Sequence, residues 1–198
     1  VRLTAAFCPA CASTAQGVAA YCERSAAAFV YGGAIARAIV RLKYERRTDL
    51  ARPLGDLLWR AIEARVGELV GVASQAVVVP VPLHVTRLAE RGFNQAALLA
   101  RRVAHPLGAA LLPLALARLR DTGRQATLDR EARIANVRRA FVAREPARLR
   151  HRAVLLVDDV LTTGATLEAC RQAVLDAGAA RVSWAVVARA SLDGREAT

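Results

Sequence analysis

Val154-Leu155-Leu156-Val157-Asp158-Asp159-Val160-Leu161-Thr162-Thr163-Gly164-Ala165-Thr166-Leu167 joins three unlike pieces in one short stretch. The apolar run 153–157 predicts a buried strand, closed by two aspartates at the solvent edge of a sheet. The carboxyl edge of such a sheet is where α/β proteins bind ligands. A loop of hydroxyls and glycine follows. A helix is then predicted over 166–177 and stopped by Gly178. The first N–H groups of a helix and its positive dipole end favour an anion, and Gly164 lets backbone approach a ligand closely. The hydroxyls of Thr162, Thr163 and Thr166 add donors for phosphate oxygens. Two acids beside a phosphate pocket need donors of their own, from sugar hydroxyls or from magnesium and its water shell. A ribose 5-phosphate unit satisfies both halves. A capped helix after a buried strand would account for one Asp or Thr, but not for two acids and a Thr-Thr-Gly-x-Thr run. No Gly-Lys-Ser/Thr is present, so this is not a Walker loop.

Outward from this stretch, apolar runs alternate between strand and helix periods. Residues 76–82 (Ala-Val-Val-Val-Pro-Val-Pro) predict a buried strand running into a loop. Ile35, Ile39 and Leu42 predict a helix over 33–45. Further helices are predicted over 50–68 and 94–104, and further strands over 111–116 and 182–188. This alternation predicts an α/β fold, a mainly parallel sheet flanked by helices. Residues 1–28 stand apart, with Cys8, Cys11 and Cys22 among small residues. The expected organisation is therefore a small cysteine-containing segment, 1–28, and one larger domain, 29–198.

The chain has 198 residues, 55% of them hydrophobic, which is ample for a core and excludes wholesale disorder. The longest apolar-looking run, 103–117, is interrupted by His105, Pro106 and Pro113 and is too short to span a bilayer. No stretch has the order of a signal peptide, so a soluble cytoplasmic protein with no membrane span is expected. The net charge is +12, and 28 of the 29 basic residues are arginine, Lys43 being the exception. Such a surplus points to a polyanionic partner. Residues 118–152 hold eleven arginines against four acids. Arg118, Arg120, Arg130, Arg133, Arg138 and Arg139 are the candidates for contact with nucleic-acid phosphates, which a guanidinium fork matches well. The polar run 121–125, with Arg124, predicts a loop.

Cys8-Pro9-Ala10-Cys11 has the spacing of half a zinc site. Cys22-Glu23-Arg24-Ser25 would be the other half, with three cysteines in all and no histidine near: the three histidines are His84, His105 and His151. Glu23 or water would complete a zinc shell; a metal-free vestige or a disulfide are the alternatives. Cys170, inside a predicted helix, reads as a buried structural thiol.

Residues 154–167 resemble the phosphoribosyl-pyrophosphate (PRPP) motif of type I phosphoribosyltransferases. Three other segments resemble the ComF family of competence proteins: Pro80-Val81-Pro82-Leu83-His84 with Arg87 and Arg91-Gly92-Phe93-Asn94-Gln95-Ala96; Tyr31 with Leu42-Lys43-Tyr44; and Arg124-Gln125-Ala126-Thr127-Leu128 with Arg133 and Asn136. The resemblance covers nearly the whole chain. It implies a PRPP site over Asp158, Asp159, Val160, Leu161, Thr162, Thr163, Gly164, Ala165 and Thr166. The acids would take the ribose hydroxyls, and residues 162–166 the 5-phosphate. It places the loop after Val79 near the pyrophosphate, with Lys43, Arg87, Arg91, Asn94, Gln95 and Arg124 as candidate partners and magnesium as cofactor. Residues 118–136 would be a loop that closes over the reacting centre and keeps water from the oxocarbenium-like carbon. The family's four-cysteine zinc finger has Ser25 here in place of its last cysteine. The implied role is PRPP binding in natural transformation, in uptake and processing of single-stranded DNA, with a competence helicase as partner. The alternative is an active magnesium-dependent phosphoribosyltransferase of nucleobase or nucleotide metabolism without a DNA role. A scaffold that only retains the loop is a third reading. Of nine aromatic residues, Phe93, Tyr31 and Tyr44 are the candidates for stacking on an acceptor base.

Overall fold

The computed structural model describes residues 25–120 and 140–190. Cys8, Cys11 and Cys22 lie outside the described residues, as do Arg124, Arg130, Arg133, Arg138 and Arg139. In chain order the strands are β1 (Ser25–Val30), β2 (Ala76–Pro80), β3 (Ala110–Leu111), β4 (Leu116–Arg118), β5 (Phe141–Ala143), β6 (Ala153–Leu161) and β7 (Arg181–Arg189). The helices are α1 (Gly33–Tyr44), α2 (Ala51–Ile62), α3 (Val66–Val70), α4 (Val85–Arg91), α5 (Gln95–Leu107), α6 (Pro146–Leu149) and α7 (Ala165–Asp176). Residues 25–28, grouped by composition with the amino-terminal segment, form the first part of β1.

Five strands make one parallel sheet in the order β1-β7-β6-β2-β3. Its central strands alternate between two cores. Val78, Leu155, Val157, Ala185 and Val187 face one side, against α1, α2, α3 and α5. Val77, Val79, Val154, Leu156 and Val186 face the other, against α7, Leu149 of α6, Leu116 and Phe141. Both faces are covered, which is why the strands read as continuous apolar runs in sequence.

Chain order sets where the site falls. From β2 the chain crosses through α4 and α5 to β3 on one side; from β6 it crosses through α7 to β7 on the other. The connections diverge between β2 and β6, and a crevice opens at the carboxyl ends of strands at such a switch point.

Three expected elements differ. The helix over 50–68 is broken by a 3-10 turn at Glu63–Arg65. The turn lets α2 bury Leu54, Leu57, Leu58 and Ile62, while α3 buries Leu69 and Val70 on a new heading. Arg65 in the turn donates to Ser25 O at 2.9 Å. The strand over 111–116 is two strands in two sheets: β3 ends the parallel sheet, and β4 pairs antiparallel with β5. Between them lies Pro113, which has no N–H for a ladder. The strand over 153–157 runs on to Leu161, because β7 pairs with it as far as Leu161↔Arg189. The two aspartates therefore lie inside the strand, not at the solvent edge.

Candidate functional site

A cleft of about 580 Å³ opens at the carboxyl ends of β2 and β6. Because a strand alternates its side chains, Asp158 and Asp159 leave β6 on opposite faces. Asp159 is 3% exposed. Its Oδ1 is 2.8 Å from Lys43 Nζ, delivered by the last turn of α1. Its Oδ2 is buried and has no hydrogen-bond partner among the described residues. Asp158 is half-buried toward α7, and its Oδ1 accepts from the Asp159 N–H at 2.8 Å. Burial, and then the charge of Asp159, push the Asp158 carboxyl from 3.8 up to about 8, against the Asp159 N–H, Lys43 and Arg118. The Cys170 thiol on α7 is fully buried and is pushed up by burial and by Asp158.

The loop after β6 exposes Thr162 and Thr163. Gly164 has φ 79°, in the left-handed region where a side chain is strained. The N-cap of α7 is Gly164, which has no side chain to cap it, and Thr163 Oγ1 accepts weakly from the Ala165 N–H at 3.5 Å. The first turn of a twelve-residue helix thus begins beside the carboxylates with its orphan donors available to an anion.

The opposite wall is the loop after β2. The Val81 N–H donates to Val157 O at 2.9 Å and pins this loop to β6. Asn94 Nδ2 donates to Val81 O at 3.0 Å, while Asn94 Oδ1 accepts from the Ala96 N–H at 3.0 Å and caps α5. Asn94 therefore shapes the loop from behind rather than lining the cleft. Buried Gln95 accepts a short hydrogen bond from Arg91 Nη1, and the Arg91 guanidinium stands 5.4 Å from the Tyr44 ring centre.

The fold brings Lys43, Arg87, Arg91, Gln95, Asp158, Asp159, Val160, Thr162 and Thr166 to one cleft from four helices, a strand and a loop. Thr163, Gly164 and Ala165 do not line it, and Leu161 is buried in the core. Arg118, read from sequence as a nucleic-acid contact, lines the same cleft, held 5.4 Å from the Phe141 ring. The signal that was missed is the bridge between His84 and Arg118, a long-range pairing that local sequence does not report. Arg120 is exposed and does not line the cleft. Of the three stacking candidates, Tyr31 and Tyr44 line the cleft, whereas Phe93 packs on the core.

Residues 69–197 match the family model of the phosphoribosyl transferase domain. The chain is 31% identical over 192 residues to the DNA utilization protein YhgH of Salmonella typhimurium, covering 92% of this chain and 83% of that protein. It is 35% identical over 153 residues to the protein of the same name in Escherichia coli, covering 77% and 66%. It is 34% identical over 132 residues to competence protein F of Haemophilus influenzae, covering 65% and 56%. With the PRPP-type loop seated at the switch point of a parallel sheet and these relatives along most of its length, the chain belongs to the phosphoribosyl transferase domain family, in its competence protein F (ComF) branch.

Proposed function

We propose that the cleft binds PRPP with magnesium, and that the protein acts in competence, in the uptake and processing of single-stranded DNA. One observation carries the ligand reading: the first turn of α7, whose N-cap Gly164 supplies no side-chain bond, opens on the same cleft as Asp159, whose Oδ2 is buried without a partner among the described residues. An anion alone would be repelled by the carboxylates, and a cation alone by the helix end and the surrounding arginines. A sugar phosphate offers acceptor oxygens to the helix and hydroxyl donors to the acids.

Magnesium fits the donor set in a limited way. Among the described residues no group of three His, Cys, Asp or Glu comes together to hold a metal. The two aspartates supply oxygen atoms, and phosphates and water would complete the shell, as magnesium prefers. Bound there, the ion would neutralise charge on the departing pyrophosphate. Lys43 holds the Asp159 carboxylate in place, and Arg87, Arg91 and Arg118 offer guanidinium groups to phosphate oxygens. The names of the relatives, together with the charge of +12, support the DNA half of the reading. Among the described residues no helix is long and apolar enough to cross a membrane.

Calorimetric titration with PRPP, with and without magnesium, tests the ligand. Magnesium-dependent heat is expected from the native protein and its loss from Asp159→Asn. Equal binding by the variant would sink the assignment. Pyrophosphate release with nucleobases added separates turnover from binding alone.

A further inference from the structure

Beside the cleft, and sharing Lys43, Tyr44, Arg87 and Arg91 with it, is an annex of about 120 Å³ that adds Arg46 and Glu90. Four cations thus surround one acid there. Tyr44 is 69% exposed, an unusual place for a large aromatic ring, and the Arg91 guanidinium lies against it.

A second observation is independent of composition. Arg46 has φ 55°, in the left-handed region just past the end of α1, where glycine is usual. A non-glycine residue there is strained, and such strain gathers at functional positions. The strained residue is one that adds a guanidinium to the annex. Its Nη2 donates to Glu90 O at 3.2 Å, which engages one of five N–H donors.

We infer that this annex is a binding site for single-stranded nucleic acid, the Tyr44 ring stacking on a base while Arg46, Arg87 and Arg91 take the adjoining phosphates. An exposed aromatic among guanidinium groups is the chemistry by which single strands are held without sequence readout. A duplex keeps its bases stacked inside and cannot use the ring. Free PRPP carries no base on which the Tyr44 ring could stack. Continuity with the cleft places the strand next to the sugar-phosphate site. The inference rests on the DNA half of the proposed function and adds the surface that performs it.

Fluorescence anisotropy with a labelled oligothymidylate tests it on the full chain. Tyr44→Ala should weaken binding roughly tenfold, as loss of one stacked base does, and Tyr44→Phe should restore it. Arg46→Gly should reduce the salt slope by about 0.7, the share of one phosphate contact on a single strand. The same variant relieves backbone strain, so its melting temperature should equal or exceed that of the native protein, with PRPP titration unchanged. If Arg46 serves only its link to Glu90, Arg46→Gly will instead lower the melting temperature and leave the salt slope intact, which overturns its role. Native-like oligonucleotide binding by Tyr44→Ala, or equal affinity for duplex, overturns the site. Absence of any oligonucleotide binding by the native protein overturns both this site and the DNA half of the reading, while the PRPP titration judges the ligand half separately.

Discussion

Replacing Asp158 with asparagine removes a carboxyl group that the folded chain keeps protonated at a cost. Its carboxyl rises from 3.8 to about 8, first through burial and then through the charge of Asp159. Below about pH 4 the folded and unfolded chains are both protonated at this position, and the group costs nothing. As pH rises, the unfolded chain releases its proton first. Folding then requires a proton to be kept, and stability falls until the folded group also ionises near pH 8. At about 1.4 kcal/mol per pKa unit, the full span is a ceiling of about 5–6 kcal/mol, of which about 4 is present at pH 7. Asp158 is only half-buried, and water in the cleft screens it, so about 2 kcal/mol is the expected effect at pH 7. Asparagine keeps the oxygen that accepts the Asp159 N–H at 2.8 Å, so the comparison isolates the titration of the carboxyl group. Urea unfolding of both proteins between about pH 4 and pH 8 should show the variant more stable at neutral pH, with the gap closing toward acid. The same variant should bind PRPP more weakly, setting stability against function at one residue. A gap that does not change with pH, or a variant less stable at pH 7, would refute the reasoning.

Two further substitutions test the ion pair in the cleft and the packing of α2 on α5. Lys43→Met strips the counter-charge from buried Asp159, whose Oδ1 is 2.8 Å away, and should cost about 3 kcal/mol in urea unfolding. Adding Asp159→Asn should recover most of that loss; a double variant no more stable than the single one would show that the pair is not coupled. Gly55→Ala in mid-helix would ordinarily gain about 1 kcal/mol, but its Cβ would fall 2.5 Å from Arg102 Cβ and 2.7 Å from Cγ. Overpacking of about 1–3 kcal/mol outweighs that gain, so a net loss is expected, and a rise in melting temperature would contradict the close approach of α2 to α5.

The elements legible in the sequence are those whose signal is local. Ile35, Ile39 and Leu42 share one face at helical spacing, and all three are buried in α1. The Thr-Thr-Gly loop ahead of α7 is likewise local, because turn and helix chemistry act within a few residues. The two aspartates read as a strand end because aspartate disfavours strands. Pairing of Asp158 with Val186 and of Val160 with Ala188 of β7 overrides that preference, and no nearby residue encodes it. The break between α2 and α3 is similar: the helical pattern continues, and burial of Leu69 and Val70 against the sheet decides the turn. Asn94 shows the opposite case, since capping of the following helix is readable from sequence, while its bond to Val81 O is not.

Extending β6 through its acids has a consequence for the chemistry. Had the strand stopped at Val157, both carboxylates would sit in solvent at the sheet edge, ionised and interchangeable. Inside the strand they part to opposite faces and meet different surroundings. Asp159 is tied to Lys43 from α1 by a direct ion pair, while Asp158 feels Lys43 and Arg118 only at a distance and is dominated by burial. One carboxyl group thus sits in a direct ion pair, and the other is driven toward its neutral form. Neighbouring carboxyl groups with separated environments can take separate roles: Asp159 accepts from a hydroxyl, and a protonated Asp158 can give as well as accept. The difference arises from strand alternation and from two elements far apart in the chain, so the identical pair of letters in the sequence conceals two unlike groups.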